Sequence, residues 1–137
     1  MIRKDPFEKI TTVKKEDGVL EQLSCSTLSI LMAMFGKPEN ELPPLPTLEQ
    51  IGQGITLYTD GYRSLTSMNK SVRYFCHVKQ YKYFKKSDRK NLKDFDFTNK
   101  KAIVCVLGHY VYVENNTYYS FFDNDNDKVV AIWYLGD

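Results

Sequence analysis

A chain of 137 residues, 42% hydrophobic and 26% charged, has the length of one domain and enough apolar content to bury a core, which excludes disorder. Nineteen basic residues against seventeen acidic ones leave a net charge of +2, too weak to announce a nucleic-acid or membrane partner. Ten tyrosines, eight phenylalanines and one tryptophan point toward β-structure.

In chain order, Met1 to Pro6 are charged and then polar, without the apolar core of a secretion signal. Residues 25–35, Cys-Ser-Thr-Leu-Ser-Ile-Leu-Met-Ala-Met-Phe, are apolar nearly all round and predict a buried helix; Gly36 stops it and Pro38 blocks its continuation. Thr47 and Gln50 form a capping-box pattern for a short helix that Gly52 and Gly54 would end. Asp60 is the expected cap of a helix reaching Asn69. Residues 71–84 alternate as a half-buried strand does, and 87–95 read as a helical turn. Strands follow over 102–107, 110–114, 117–122 and 129–135, with turns at Asn115-Asn116 and at 124–127. No apolar run approaches the roughly 18 residues of a membrane span. Helices first and an antiparallel sheet after them predict an α+β domain, with a helical lobe of about 1–70 and a sheet lobe of about 71–137.

The cysteines, Cys25, Cys76 and Cys105, are odd in number and lack C-x-x-C spacing, so free thiols and a reducing, cytoplasmic compartment are expected. Cys25 opens the buried helix, where unpaired N–H groups and the helix dipole favour a thiolate and are expected to pull its pKa below the free value of about 8.5. His109 opens a strand, and the next strand runs through Tyr119-Ser120-Phe121-Phe122 to Asp123. A hairpin register brings Asp123 near the imidazole, where a carboxylate would fix the tautomer and leave the other nitrogen to take the thiol proton. Cys25, His109 and Asp123 are therefore the candidate catalytic triad, with Asp125 or Asn124 as substitutes for the acid. Cys76, His77 and Cys105 could be read as a mixed metal site, but strand cysteines filling a core is the favoured reading, and neither metal nor cofactor is expected.

Gly108-His109-Tyr110-Val111-Tyr112-Val113, an Asn turn, Tyr119-Ser120-Phe121-Phe122-Asp123 and then Val129 resemble the histidine box of ubiquitin-specific proteases. Cys25 leading Leu28, Leu31 and Phe35 is similar to their cysteine box. The resemblance implies a minimal papain-like fold, with the nucleophile on a central helix and His109 and Asp123 on a sheet across a cleft. The short chain is similar to compact viral papain-like and leader proteases, which implies a monomer in the host cytoplasm. Its partner would then be a peptide or protein substrate, ubiquitin or a ubiquitin-like modifier. Val19 and Leu20 stand where those families keep an oxyanion donor, so Gln22 is nominated for that role beside the Cys25 N–H. A second resemblance, through residues 25–37 and Gly54-Ile55-Thr56-Leu57, is to the peptidases that clip double-glycine leaders in bacteriocin exporters, in which the acid would be Asp125. Both imply a narrow cleft that accepts Gly-Gly before the scissile bond, and residues 71–84 with the sheet's second strand are its expected walls.

Outside enzymology, Lys79, Lys82, Lys85, Lys86, Arg89, Lys90, Lys93, Lys100 and Lys101 interleave with Tyr81, Tyr83 and Phe84. A basic, aromatic stretch of this kind is one way to hold single-stranded nucleic acid, although a solvated face is the favoured reading.

Overall fold

Two tight turns set the register of the main sheet in the computed structural model, which describes residues 1–6, 12–14, 20–22, 24–36, 50–52, 54–55 and 64–136. β5 (Lys101–Val106) and β6 (His109–Glu114) are joined through Leu107-Gly108, with Gly108 at φ 76° and Val106 opposite His109. β6 and β7 (Thr117–Tyr119) are joined through Asn115 and Asn116, at φ 51° and 60°, the pair of left-handed residues that a type I′ turn requires. Glu114 therefore faces Thr117, and Tyr112 faces Tyr119. Asn116 also accepts from the Phe97 N–H at 2.6 Å through Oδ1.

The sheet is completed by β1 (Ile2–Lys4), β4 (Val78–Tyr83) and β8 (Val129–Leu135), in the order β1-β7-β6-β5-β8-β4. Every neighbouring pair is antiparallel except β1 and β7, which run parallel. A separate antiparallel ribbon pairs β2 (Thr12–Lys14) with β3 (Leu20–Gln22). The architecture is mixed α and β, as composition and patterning predict. The division into a helical lobe and a sheet lobe is blurred, because β1 joins the sheet from the chain's other end.

Alternation along the strands sends side chains to opposite faces. On one face Ile103, Cys105, Tyr112, Ala131 and Trp133 meet the helices α1 (Cys25–Phe35) and α2 (Leu65–Phe75), through Leu28, Leu31, Met32, Met68 and Val72. On the other, Val104, Val106, Val111, Val113 and Ile132 are covered by Leu92 and Phe97, with Phe84 and Phe95 alongside. Trp133 donates its indole N–H to Asn69 Oδ1 at 2.9 Å, which ties α2 to β8.

α1 matches the predicted span. Ser24 caps it by accepting from the Thr27 N–H, and Gly36, at φ 90°, ends it. α2 does not match. It is capped by Ser64 and runs to Phe75, so β4 begins at Val78 and not at residue 71. Leu65, Met68, Val72 and Phe75 recur at helical spacing and pack on the core, and that stripe outweighs the local alternation. Asp60 lies outside the described residues. Gly52 and Gly54 sit within helical backbone at 50–52 and 54–55. The expected strand over 117–122 stops at Tyr119, and the expected helical turn near 87–95 is two 3₁₀ turns, Lys86–Asp88 and Leu92–Asp94.

Candidate active site

Cys25 is the first residue of α1, and the N–H groups there have few partners. Ser24 takes the Thr27 N–H through its side chain and the Leu28 N–H through its carbonyl at 3.0 Å. The N–H groups of Cys25 itself and of Ser26 are directed at the Cys25 sulfur, and a third comes from across the sheet, the N–H of Tyr110. Hydrogen bonding alternates along an antiparallel strand. With Val106–His109 and Glu114–Thr117 as closing pairs, the even residues of β6 present their N–H toward β7. β7 has ended at Tyr119, so the Tyr110 N–H has no β7 carbonyl opposite it, and it acts on the Cys25 thiol. Tyr110 directly follows His109 in β6, so the thiol lies near the main chain of the strand that carries the imidazole.

The imidazole is held from its far side. His109 Nε2 lies 3.0 Å from Ser120 Oγ, Ser120 Oγ donates to Asn124 Oδ1 at 2.6 Å, and Asn124 Nδ2 donates to Asp127 Oδ2 at 2.7 Å. The directions of these bonds follow from the acid inward. A carboxylate only accepts, so the amide nitrogen of Asn124 faces Asp127 and its oxygen faces Ser120. Ser120 must spend its one proton on that oxygen. Its two lone pairs then take the Phe122 N–H, at 3.1 Å, and the His109 Nε2–H. His109 is thus the Nε2–H tautomer, and Nδ1 is its basic nitrogen. Nδ1 is the ring nitrogen nearer the main chain, and it has no hydrogen bond among the described residues.

Burial sets the resting charges. It pushes the Cys25 thiol above its ordinary value of 9.0, against the pull of the three N–H groups, so the sequence expectation of a depressed pKa is reversed. Burial also lowers His109 below its ordinary value, opposed only in part by the charge of Asp127. The resting forms near pH 7 are therefore a neutral thiol and a neutral imidazole, the protonation states that general-base transfer starts from.

Asp123 is not part of this chain of bonds. Its carboxylate accepts from the Tyr118 hydroxyl at 3.2 Å and from the Asp125 N–H at 3.0 Å. The strand has ended at Tyr119 and the chain bends at 121–122, so although the Phe122 ring still meets His109 edge to face at 5.7 Å, the Asp123 carboxylate turns to the Tyr118 hydroxyl and not to the imidazole. Asp125 joins the Tyr118–Asp123 group. Of the acid's substitutes, Asn124 is the one in line with the histidine. The sequence reading assigned no role to Ser120 or Asp127, although the β6–β7 register places Ser120 opposite Val111, diagonal to His109 and on its face.

Gln22 lies in β3, and its side chain is outside the described residues. β4 does not flank β6, since β5 and β8 stand between them, so residues 78–83 are not neighbours of the strand that carries His109. The His109 end of the sheet is rimmed by exposed apolar side chains, Leu107, Phe121 and Phe122. All three cysteines are free, and among the described residues no group of His, Cys, Asp and Glu is placed to hold a metal ion. No described helix is long and apolar enough to cross a membrane.

No family model, curated protein or solved structure matches this chain.

Proposed function

We propose that the chain is a cysteine peptidase of minimal papain-like arrangement, with Cys25 as nucleophile, His109 as base, and Ser120, Asn124 and Asp127 as positioning residues for the imidazole. The observation that carries this reading is the hydrogen-bonded line from His109 Nε2 through Ser120 and Asn124 to Asp127, with the Cys25 thiol at the start of α1 close enough to feel the Tyr110 N–H, one residue past that histidine. A catalytic role requires a nucleophile, a base with one free nitrogen, and an orienting group behind the base, and the three fall at one end of one sheet.

In the proposed reaction, Nδ1 of His109 takes the thiol proton as the sulfur adds to the scissile carbonyl carbon. The helix-end N–H groups that face the sulfur are near enough to stabilise the developing oxyanion. Collapse of the adduct breaks the C–N bond, and the imidazolium returns its proton to the leaving amine. Water, deprotonated by the same nitrogen, then hydrolyses the thioester and frees Cys25. The apolar rim of Leu107, Phe121 and Phe122 suits an extended peptide lying across the site.

The substrate class follows from the sequence resemblance: a chain ending in Gly-Gly, as in ubiquitin or a ubiquitin-like modifier. The test is incubation with ubiquitin carrying a C-terminal thiol-reactive group, and in parallel with a double-glycine leader peptide. Covalent capture on Cys25, lost in Cys25→Ala and reduced in His109→Ala, supports deubiquitination. Cleavage of the leader peptide alone supports peptidase chemistry on the other substrate. Neither capture nor cleavage overturns the reading.

A further inference from the structure

The end of the sheet remote from His109 carries a second concavity. β4 contributes Lys79, Gln80 and Lys82, the approach to β5 contributes Asn99, Lys100 and Lys101, and β8 closes the wall with Tyr134. The volume is about 300 Å³. Lys101 pairs with Glu114 at the opposite end of the β5–β6 ladder from Val106 and His109, five residues or about 17 Å along the strand. The pocket is therefore separate from the candidate active site.

Four lysines line this pocket, and no acidic residue does. Lys101 lies 3.8 Å from Glu114, but Lys79, Lys82 and Lys100 form no ion pair among the described residues. Asp96, fully exposed, is held ionised chiefly by hydrogen bonds from Thr98 and then from Asn116, with Lys100 the smallest contribution. The ammonium groups are also held in place. Lys82 and Lys100 lie 5.7 and 5.4 Å from the centroid of one ring, that of Tyr134, so cation–π attraction gathers two like charges on one wall. Four positive charges with only Glu114 and the exposed Asp96 near them still repel, and a polyanion relieves that repulsion. Lysine is a point-charge partner for phosphate, and 300 Å³ is at the small end of ligand pockets, the size of a small molecule and not of a docked chain. One phosphate cannot match four ammonium groups, whereas two or three linked ones can.

We propose that this pocket binds a small molecule bearing two or more linked phosphate groups, the di- and triphosphate class. The full chain is titrated calorimetrically with orthophosphate, pyrophosphate and tripolyphosphate, and by fluorescence anisotropy with a labelled single-stranded RNA 12-mer. The expected result is one site per chain for tripolyphosphate, bound at least tenfold more tightly than orthophosphate. Lys82→Gln with Lys100→Gln weakens it at least tenfold. Lys86→Gln with Lys90→Gln removes the same charge outside the pocket and changes affinity less than twofold. Absence of saturable tripolyphosphate binding overturns the proposal. So does equal weakening by the two double variants, which would make the effect one of net charge. RNA binding that tripolyphosphate fails to compete also overturns it, because the lysines would then belong to a nucleic-acid surface.

Discussion

Ser120→Ala is the most searching test of the bonds behind His109. The hydroxyl is only 2% exposed and has three partners: Asn124 Oδ1, the Phe122 N–H and the His109 Nε2–H. These losses are unequal. Asn124 is 4% exposed, so its oxygen has little access to water and is left without a donor, a cost of about 1–3 kcal/mol. Phe122 is largely exposed, so water can replace the serine at its N–H, and His109 is half-buried. The sum is about 2 kcal/mol, which lowers the urea midpoint by roughly 1 M with an unchanged slope. The second readout is the tautomer. In the parent protein the imidazole ¹⁵N spectrum should show one protonated nitrogen, Nε2, and one bare nitrogen, Nδ1. With Ser120 gone, Asn124 no longer dictates where that proton sits, and both tautomers should be populated. A midpoint shift below about 0.3 M together with an unchanged ¹⁵N spectrum would refute the direction assigned to every bond from Asp127 to His109.

Alkylation of Cys25 by iodoacetamide, followed by peptide mass spectrometry from pH 5.5 to 10, should rise steeply above pH 9. At pH 7 the thiolate is under about 1% of the thiol, and a reactivity plateau reaching below pH 7 would mean a preformed ion pair. Asp123→Ala should leave turnover of a Gly-Gly peptide within twofold, whereas Asn124→Ala should lower it more than tenfold; the reverse order would restore Asp123 as the orienting acid. Because burial holds His109 below its ordinary value of 6.5, the unfolded chain takes up that proton first as pH falls. The stability due to this group is complete above about pH 6.5 and is lost as pH drops through the folded-state value, so His109→Gln should flatten the acid limb of a pH series of urea midpoints.

What the sequence discloses follows from how local the signal is. α1 is legible because its cap, its apolar run and its terminal glycine lie in one stretch, and the β6–β7 hairpin because two consecutive asparagines tolerate positive φ. The boundary between α2 and β4 is not, since residues 71–75 fit both periods and only packing on Met68 and Val72 decides. The parallel pairing of β1 with β7 joins residues more than a hundred apart and has no local signature. At the site, the positions of Cys25 and His109 are legible, but the charge state of the thiol is not. Helix-end N–H groups can be read from a pattern, whereas the depth of burial that overrides them depends on the whole fold. Asp123 stands away from the imidazole for a different reason: the strand ends at Tyr119 and the chain bends at 121–122, a departure that the aromatic pattern running on through Phe122 does not disclose.

Both halves of the site trace to a single event in the sheet, the departure of the chain from β6 after Tyr119. Ser120 gives its N–H to the Lys4 carbonyl of β1 at 3.0 Å, so the strand ends by transferring its pairing to the parallel neighbour. Had β7 continued, the even-residue N–H of Tyr110 would have gone to a carbonyl two positions farther on and would no longer have opposed the rise of the Cys25 pKa. The bend at 121–122 instead folds the chain back so that Asn124 can reach the Ser120 hydroxyl, which fills the space beyond His109 with acceptors. A longer β7 would therefore take that N–H from the thiol and the support from the imidazole together. The short parallel strand β1 holds the main chain of Ser120 at both its N–H and its carbonyl, and the Ser120 side chain meets the His109 imidazole. Replacing Arg3, which donates to the Ser120 carbonyl at 3.1 Å, should loosen both Cys25 and His109 before it measurably loosens the core.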